Sequence, residues 1–222
     1  MSRRHRPGRP HVLVMAKEPR PGRVKTRLCP PCSPAEAAAV AEAALADTLA
    51  AVAACGAPRK VLALDGAPGP WLPSGFDVIP QRGADFNQRL AHAWSDAGGA
   101  GIQIGMDTPQ VTASVLDRLL QALDARPSPE PAVLGYARDG GWWVIGWRRA
   151  DPRAVFTGIP MSTAGTGLAQ ENRLLGLGFR LHRADPLLDI DTIDDLQAVA
   201  RRFPHLRTAG LAATITLQDA VA

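Results

Sequence analysis

Several features that define common classes of protein are missing from this sequence of 222 residues. No apolar run reaches the roughly 18 to 20 residues that a helix needs to span a bilayer. The apolar stretch after the basic start, MSRRHRPGRP, is short and is soon interrupted by Lys17, which excludes a typical signal peptide. We therefore expect a cytoplasmic protein that binds no membrane, with residues 1–10 as a disordered basic tail.

Excess charge and clustered metal ligands are also missing. The formal net charge is only +4, and most of that excess lies in the arginine-rich start, so we expect no nucleic-acid partner. The five histidines are scattered without the spacing of metal ligands. Cys29 and Cys32 form one C-x-x-C pair with no second pair. We interpret them as loop cysteines of a reducing compartment, with a redox or zinc site as the alternative.

The rest of the sequence alternates between strand-like apolar runs and segments of helical periodicity. This alternation predicts crossover units around a mostly parallel sheet, and the RDGG turn at 138–141 predicts one local antiparallel pair. The simplest organisation is one α/β domain over residues 11–205, followed by a C-terminal extension at 206–222. Strands are expected at 11–16, 60–65, 76–81 and 100–107, on both sides of RDGG and at 179–184, and helices at 33–55, 85–97, 112–125, after STAGTG and after Thr192.

A loop with several cations follows the first strand, and from Ala16 it reads AKEPRPGRVKTR. It is not a P-loop, because that motif requires G-x-x-x-x-G-K-[ST] and only Gly22 and Lys25-Thr26 have counterparts here. Cations so close together repel each other unless an anion lies among them, and backbone N–H groups near a glycine can also contact phosphate. The loop therefore indicates a diphosphate site, and the alternative is a solvated basic loop.

Three aspartates fall where an open α/β sheet binds ligands, beyond the carboxyl ends of its strands. Asp107 ends the fourth strand and is either a ligand of Mg²⁺ or Mn²⁺ or the cap of the next turn. Asp189 and Asp191 are two residues apart, so an extended backbone places both carboxylates on one side. Such a pair repels unless a cation lies between the two, and hard divalent cations prefer oxygen ligands. The alternative is an acidic helix N-terminus, which accounts better for Asp194 and Asp195.

The segment ARDGGWWVIGW combines a tight turn with two adjacent tryptophans. Neighbouring residues of a strand face opposite ways, so one tryptophan is expected in the core and the other can line a cleft and pack on a sugar or base. Asp139 is a candidate base or acceptor contact, and the alternative is an ordinary Asp-Gly turn. Gln81, at the end of the third strand, is a candidate contact to a nucleobase edge, with a surface loop as the alternative.

Five segments occur in a distinctive order and spacing, namely MAKEPRPGRVKTRL, GMDTPQ, RDGGWWVIG, GIPMSTAGT and DIDTIDDL. Together they resemble a bacterial family of glycosyltransferase-like proteins, the domain-of-unknown-function family 2064 (DUF2064), over about residues 12–200. Some members of that family are labelled arsenosugar-biosynthesis glycosyltransferases. The family is similar to nucleotide-diphospho-sugar transferases of the GT-A fold. More distantly, it is similar to the guanylyltransferases for phospholactate and the molybdenum cofactor.

The resemblance implies a Rossmann-like α/β/α sandwich with a mostly parallel central sheet, a nucleotide phosphate loop at Lys17, Gly22, Lys25 and Arg27, and a metal site. Together with the residue patterns described above, it leads to the following expected roles. Lys25 and Asp139 would be catalytic. Mg²⁺ or Mn²⁺ would be held by Asp107, Asp189 and Asp191. The nucleotide would contact Ala16, Lys17, Gly22, Lys25, Arg27, Gln81 and Arg89. The acceptor would contact Gly140, Gly141, Trp142, Ser162 and Thr163.

Three functions are compatible with these residues. The first is glycosyl transfer from a nucleotide sugar to a small acceptor. The second is nucleotidyl transfer from an NTP to a small phosphorylated or phosphonylated substrate, with release of pyrophosphate. The third is a nucleotide-binding module without catalysis. The expected partners are a nucleotide or nucleotide sugar and a small-molecule acceptor, with a homodimer as one option for its assembly. The sequence leaves the donor base, the sugar and the acceptor open.

Overall fold

A seven-stranded sheet forms the centre of the computed structural model, which describes residues 9–124 and 129–215. Most of the tail expected at 1–10 therefore lies outside the described residues. The strand order across the sheet is β3-β2-β1-β4-β6-β5-β7. The strands are β1 His11–Lys17, β2 Arg59–Asp65, β3 Asp77–Pro80, β4 Gly101–Ile104, β5 Pro131–Ala137, β6 Trp142–Trp147 and β7 Arg180–Leu187.

Helices cover both faces of this sheet, which confirms the α/β/α sandwich. They are α1 Pro34–Ala54, α2 Phe86–Ala97, α3 Ala113–Asp124, α4 Pro152–Phe156, α5 Thr166–Gly176, α6 Ile193–Arg202 and α7 Arg207–Thr214. On one face, α1 and α3 bury Leu45 and Leu116 against Ile102 of β4. On the other face lie α2, α4 and α5, where Trp94 stacks on Trp147 with the ring centroids 3.6 Å apart.

The sheet is parallel except at β6, which runs antiparallel to both of its neighbours, β4 and β5. This confirms the mostly parallel sheet and the antiparallel pair at the RDGG turn. In the centre of the sheet β1 pairs in parallel with β4, with Val14 opposite Ile104. The loops that follow these two strands therefore emerge side by side, which brings the cationic loop close to Asp107.

Some element boundaries differ from those expected. β4 was expected to continue to Asp107 but ends at Ile104, where its pairing with both β1 and β6 also ends. Asp107 is therefore on a bend beyond the strand, and its backbone is free to make tertiary hydrogen bonds. β7 is longer than the segment 179–184, and the short helix α4 was not expected.

Helix α1 corrects the expectation that no segment of the chain is long and apolar enough to span a bilayer. It has 21 residues, and an 18-residue window within it has a mean hydropathy of 1.6, so by length and composition alone it could cross a membrane. In the structure, 61% of this window is buried inside the protein. Ser33 and Glu36 form the capping box that the sequence predicts: the Glu36 N–H donates to Ser33 Oγ, and the Ser33 N–H donates to Glu36 Oε2.

Helix α7 lies in the segment that the sequence assigns to an extension, and it packs on α1 and α6. Its N-cap, Leu206, has no side-chain oxygen to accept the first free N–H groups. The buried Asp47 of α1 provides the missing acceptor. Its carboxylate accepts the backbone N–H groups of Arg207 and Thr208 at 3.2 and 3.0 Å. It also accepts the Thr208 hydroxyl at 2.8 Å. One buried carboxylate thus holds the C-terminal helix on the domain.

We expect Asp47→Ala to lower the free energy of unfolding by about 1 to 3 kcal/mol, because it leaves buried N–H and hydroxyl groups of α7 without acceptors. Urea denaturation followed by circular dichroism measures the change. Glu42→Ala is the matched control, since Glu42 is exposed on the same helix. Equal stability of the two variants would contradict a capping role for Asp47.

Candidate active site

A cavity of about 700 Å³ opens at the carboxyl edge of the sheet, beyond the ends of β1, β3 and β4. Every site residue expected from the sequence lines it except Gly22 and Gly140. Gly22 instead lines an adjoining groove of about 480 Å³, which shares Lys17 and Arg23 with the cavity. The expected residues that the cavity brings together are Ala16, Lys17, Lys25, Arg27, Gln81, Arg89, Asp107, Asp139, Gly141, Trp142, Ser162, Thr163, Asp189 and Asp191.

Lys25 lies at the centre of the charged part of this cavity. Its ammonium donates to Asp107 Oδ2 at 2.9 Å and to Asp191 Oδ1 at 2.8 Å, and only 9% of its side chain is exposed. Asp191 also accepts from Arg27 at 3.1 Å, although 72% of the Arg27 side chain is exposed. Two of the loop cations are therefore already paired with aspartates.

The backbone around Lys25 fixes this position. Lys25 has the left-handed conformation, with φ 46° and ψ 37°, which costs energy for a residue with a Cβ. Its flanks are anchored in the core, since Val24 packs on α1 and Leu28 is fully buried. The Leu28 N–H donates to the Lys25 carbonyl at 2.9 Å, which closes the short 3₁₀ turn Thr26–Leu28.

The acidic segment after β7 is joined directly to the bend after β4. The Ile190 N–H donates to the Asp107 carbonyl at 3.1 Å, and the Gln110 amide donates to the Leu188 carbonyl at 2.8 Å. Ile190 is fully buried and faces a cluster with Leu28. Asp189 and Asp191, on either side of it, both line the cavity, as their spacing of two residues predicts.

Asp189 carries the most perturbed carboxyl of the site. Its pKa is raised to about 8, chiefly by burial and then by the negative charges of Asp107 and Asp139, against the opposing effect of Lys25. Its Oδ1 atom is buried and has no hydrogen-bond partner among the described residues. A buried carboxylate oxygen without a donor is costly, so this atom requires a proton or a cation.

Lys25 and Asp191 are shifted in the directions expected of an ion pair. Burial alone would lower the pKa of Lys25, but Asp107 and Asp191 outweigh it and raise that pKa above its ordinary value. Burial alone would raise the pKa of Asp191, but Lys25 and Arg27 outweigh it and lower that pKa. Both groups are therefore charged at neutral pH.

On the side of the cavity expected to bind nucleotide, several polar groups are already engaged. The Gln81 amide donates from Nε2 to the carbonyls of Ala16 and Ala63 at 2.8 and 2.9 Å, so only its Oε1 remains for a ligand. Arg89 pairs with Asp65 at 3.1 Å. Lys17 and Arg23 have no ion pair among the described residues, which leaves two positive charges beside the cavity.

The opposite side is built from the β5–β6 turn and the loop before α5. Gly140 has φ +90°, and a Cβ there would lie 2.2 Å from the Ala164 carbonyl oxygen, so only glycine fits. Its own carbonyl accepts the Gly167 N–H at 2.8 Å, which holds the turn on α5. Asp139 Oδ1 accepts the Gly141 N–H at 2.8 Å, as in the ordinary turn that was the alternative interpretation.

The two tryptophans separate as the strand alternation predicts. Trp143 is buried in the core, and its indole N–H donates to the Asp185 carbonyl at 3.0 Å. Trp142 is half-buried and lines the cavity. Ser162 and Thr163 line the same side, and Ser162 is left-handed with φ 58°. An aromatic face and two hydroxyls thus lie across the cavity from the cationic loop.

Several residues that line the cavity were not predicted from the sequence. Arg23 belongs to the cationic loop and could have been assigned with it. Gln103 is buried in β4, with both amide atoms unpaired among the residues described; a polar residue in an otherwise apolar strand was the available signal. Met15, Phe86 and Met161 also line the cavity, but nothing in the sequence separates them from core residues.

The C-x-x-C pair lies next to the site without entering the cavity. Cys29 and Cys32 are free thiols, and Cys32 is buried in a cluster with Leu28 and Ile190. Burial, with the nearby charge of Glu36, raises the pKa of the Cys32 thiol. These features favour packing over thiolate chemistry at Cys32.

The resemblance seen in the motifs implies a divalent metal ion held by Asp107, Asp189 and Asp191. Across 9–124 and 129–215, no three His, Cys, Asp or Glu side chains are arranged as a metal site. The Lys25 ammonium lies between Asp107 and Asp191. The residues nevertheless fit a divalent cation, because Asp189 Oδ1 is buried without a donor beside further negative charge. Oxygen ligands of this kind suit Mg²⁺ or Mn²⁺.

Comparison with solved structures defines the class of fold. A protein of Desulfovibrio desulfuricans G20, provisionally named a nucleotide-diphospho-sugar transferase, matches with a TM-score of 0.81 at 24% identity, over 92% of this chain and 94% of that one. The nucleotidyl transferase Mth528 of Methanothermobacter thermautotrophicus matches at 0.59 and 16%, over 89% and 99%. A cytidylyltransferase of Leptospira borgpetersenii serovar Hardjo-bovis matches at 0.54 and 15%, over 93% of both chains. The chain therefore has the nucleotide-diphospho-sugar transferase fold.

The family follows from the sequence comparison. The family model described as an uncharacterized protein conserved in bacteria (DUF2064) matches residues 37–163, more than half of the chain. The chain therefore belongs to the DUF2064 family, which confirms the resemblance seen in its motifs. The matched residues include Asp107 and Asp139, whereas Lys25, Asp189 and Asp191 lie outside them. The comparison with curated proteins gives no sequence match.

Asp189 predicts how stability depends on pH. Because its pKa is 3.8 when unperturbed and about 8 in the folded chain, the folded state keeps a proton that the unfolded state loses in this window. This carboxyl therefore destabilises the fold increasingly as pH rises from about 4 to 8. In a buffer that contains a metal chelator, the free energy of unfolding of Asp189→Asn should increasingly exceed that of the wild type as pH rises from 5 to 8. Urea unfolding at each pH measures this difference.

The control for this experiment is Asp194→Asn, since Asp194 is exposed and does not line the cavity. That variant should follow the wild-type pH profile. If the difference in free energy of unfolding between Asp189→Asn and the wild type stays constant across this pH range, ionisation of the buried carboxyl does not destabilise the fold.

Proposed function

We propose that this protein is a metal-dependent transferase that moves a sugar from a nucleotide sugar to a small-molecule acceptor. The observation that carries the proposal is the convergence of Lys25, Asp107, Asp189 and Asp191 on one cavity at the carboxyl edge of the sheet. Three carboxylates and a buried ammonium at that edge suit a metal-bound diphosphate, and the fold is one in which such ligands bind there.

The size and lining of the cavity support a substrate larger than a nucleotide alone. A volume of about 700 Å³ lies in the upper part of the range for small-molecule sites, roughly 300 to 1,000 Å³. The cationic loop and Gln81 lie on one side, and Trp142 with Ser162 and Thr163 on the other. A nucleotide sugar that spans the cavity would therefore present its sugar to an aromatic face and hydroxyls.

The residues of the chain suggest how the reaction would proceed. The bond between the sugar C1 and the diphosphate oxygen breaks, the acceptor oxygen bonds to C1, and the nucleoside diphosphate leaves. Lys25, Lys17 and Arg23 would stabilise the negative charge that develops on the departing phosphate. Asp139 keeps its Oδ2 free of the Gly141 hydrogen bond, and it would accept the proton of the acceptor hydroxyl.

A divalent cation would be held by Asp107, Asp189 and Asp191. When bound, it would neutralise charge on the diphosphate and orient it. Asp189 would give up its proton to become a ligand, which relieves its unfavourable burial. The partners of the protein would thus be a nucleotide sugar, Mg²⁺ or Mn²⁺ and a small acceptor.

Nucleotidyl transfer is the second candidate. In that reaction the substrate oxygen attacks the α-phosphate of an NTP, and pyrophosphate leaves. The likeness to the nucleotidyl transferase and the cytidylyltransferase favours it, since both share this fold at TM-scores above 0.5. Lys17 and Arg23, which have no ion pair within 9–124 and 129–215, also suit the longer phosphate chain of a triphosphate.

A thermal-shift panel tests nucleotide binding first. Nucleoside di- and triphosphates and nucleotide sugars are added with and without Mg²⁺ or Mn²⁺. A ligand at 100 times its Kd adds about 2.7 kcal/mol to stability, so a clear rise in Tm is expected for at least one nucleotide. The rise should require the divalent ion. No shift with any nucleotide would contradict the proposed function.

The products then distinguish the candidates. Release of nucleoside diphosphate from a nucleotide sugar supports glycosyl transfer, and release of pyrophosphate from an NTP supports nucleotidyl transfer. Asp191→Asn should lower kcat/KM by at least about 100-fold, because Lys25 and the metal lose a shared carboxylate.

The matched control for Asp191→Asn is Asp194→Asn, since Asp194 is exposed on the first turn of α6 and makes no contact with the cavity. It should retain wild-type turnover. If the wild type binds nucleotide but turns over neither kind of donor, the protein is a binding module without catalysis.

A further inference from the structure

The pairing of Lys25 with Asp107 and Asp191 has a consequence for ligand binding that rests on the proposed function. In the chain without ligands, one ammonium neutralises two carboxylates from loops that follow β4 and β7. Because this ammonium is nearly buried, solvent screens the interaction little. Lys25 therefore occupies the position between carboxylates in which a divalent cation would be expected.

Lys25 and a divalent cation compete for the same oxygens. Mg²⁺ binds its oxygen ligands at about 2.0 to 2.1 Å in a near-octahedral shell. A cation held by Asp107 Oδ2 and Asp191 Oδ1 would therefore occupy the place between them that the Lys25 ammonium fills. The two positive charges would also repel each other strongly at such short range. Lys25 must therefore leave Asp107 and Asp191, at least in part, before those oxygens can bind the cation.

A displaced ammonium needs another anion, and the nucleotide would provide it. Lysine is a point charge on a flexible four-carbon stem, so it can turn from the carboxylates toward the cavity while its backbone stays in place. Val24 and Leu28 hold that backbone in the core. Three further carboxylates line the cavity: Asp189 would be taken by the cation, Asp85 accepts from Gln88, and Asp139 accepts the Gly141 N–H. The phosphates of the ligand are therefore the strongest anions left for Lys25.

We propose that Lys25 is a built-in counter-ion that holds the metal-binding carboxylates until a nucleotide arrives, and that it then moves to the phosphates while the divalent cation takes its place. Metal and nucleotide therefore bind with positive coupling. The nucleotide draws Lys25 away from the carboxylates that bind the metal, and the metal releases Lys25 from those carboxylates so that it can bind the phosphates. By linkage, the factor by which nucleotide raises metal affinity equals the factor by which metal raises nucleotide affinity.

Removal of the ammonium tests this directly. Lys25→Gln should bind Mn²⁺ more tightly than the wild type in the absence of nucleotide, by a factor within the usual range for coupled sites of about 5 to 150. Mn²⁺ titration followed by electron paramagnetic resonance gives both dissociation constants. Lys25→Arg keeps a positive charge and should not show the gain. Lys60→Gln removes a lysine near the start of β2, whereas the cavity lies at the carboxyl edge of the sheet. This variant should bind Mn²⁺ with the wild-type affinity.

The coupling itself is measured with inorganic pyrophosphate as the phosphate probe. In the wild type, Mn²⁺ and pyrophosphate together should raise Tm by more than the sum of their separate effects. In Lys25→Gln this excess should shrink, because Mn²⁺ no longer has to displace an ammonium. Association of Mn²⁺ with pyrophosphate in solution is the same for every variant and cancels in the comparison.

The wild type provides a measurement that does not depend on any variant folding. The sequence has only three lysines, Lys17, Lys25 and Lys60, so ¹³Cε-labelled lysine gives a simple spectrum. The Lys25 resonance should shift when Mg²⁺ and pyrophosphate are added together, while Lys60 stays unchanged. A Lys25 resonance that does not move, although both ligands bind, would overturn the inference.

Two outcomes separate this inference from the proposed function. If the wild type and Lys25→Gln bind Mn²⁺ with the same affinity, Lys25 is not a competing counter-ion, and the metal-dependent function stands. If neither protein binds Mn²⁺ or pyrophosphate at all, the inference and the proposed function fail together.

Discussion

The candidate site depends on one buried ammonium that joins carboxylates from opposite halves of the chain. Lys25 binds Asp107 and Asp191 at 2.9 and 2.8 Å, and Arg27 of the same loop adds an exposed contact to Asp191 at 3.1 Å. Without Lys25, three carboxylates would face each other in a partly buried cavity, and among the described residues the ion pair with Asp191 that remains is that of the exposed Arg27. Asp189 has no such partner in the part of the chain that the structure describes: burial chiefly, and then the charges of Asp107 and Asp139, raise its pKa against the opposing effect of Lys25.

The sheet makes this interaction possible. β1 and β4 are parallel neighbours, so the loops after them leave the same edge together. The segment after β7 comes from the far end of the sheet, and a backbone hydrogen bond from Ile190 to Asp107 ties it to that edge. Buried Ile190 then turns both flanking aspartates toward the cavity. The charged site is thus held by backbone hydrogen bonds and apolar anchors, and its side chains are left to respond to a ligand.

Local patterns in the sequence predicted much of this. Ser33 and Glu36 predicted the start of α1, the tryptophan pair predicted one buried and one cavity-facing ring, and the spacing of Asp189 and Asp191 predicted a shared side. These features depend on the conformation of a few neighbouring residues. The end of β4, the short helix α4 and the capping of α7 by Asp47 were not predictable in this way. Each depends on pairing or burial between residues far apart in the sequence.

The sequence by itself determined the class of fold, the family and the residue types of the site, because hydrophobic periodicity and short motifs are local properties of the chain. Only the tertiary structure decided which charges are already satisfied. Five cations lie close together in one loop and look equivalent in the sequence. Arg20 pairs locally with Glu18. In the fold, Lys25 and Arg27 are paired with aspartates that arrive from distant strands, whereas Lys17 and Arg23 have no such partners among the described residues. The difference arises because the strength of an ion pair depends on distance and burial, and both are set by how the strands are arranged.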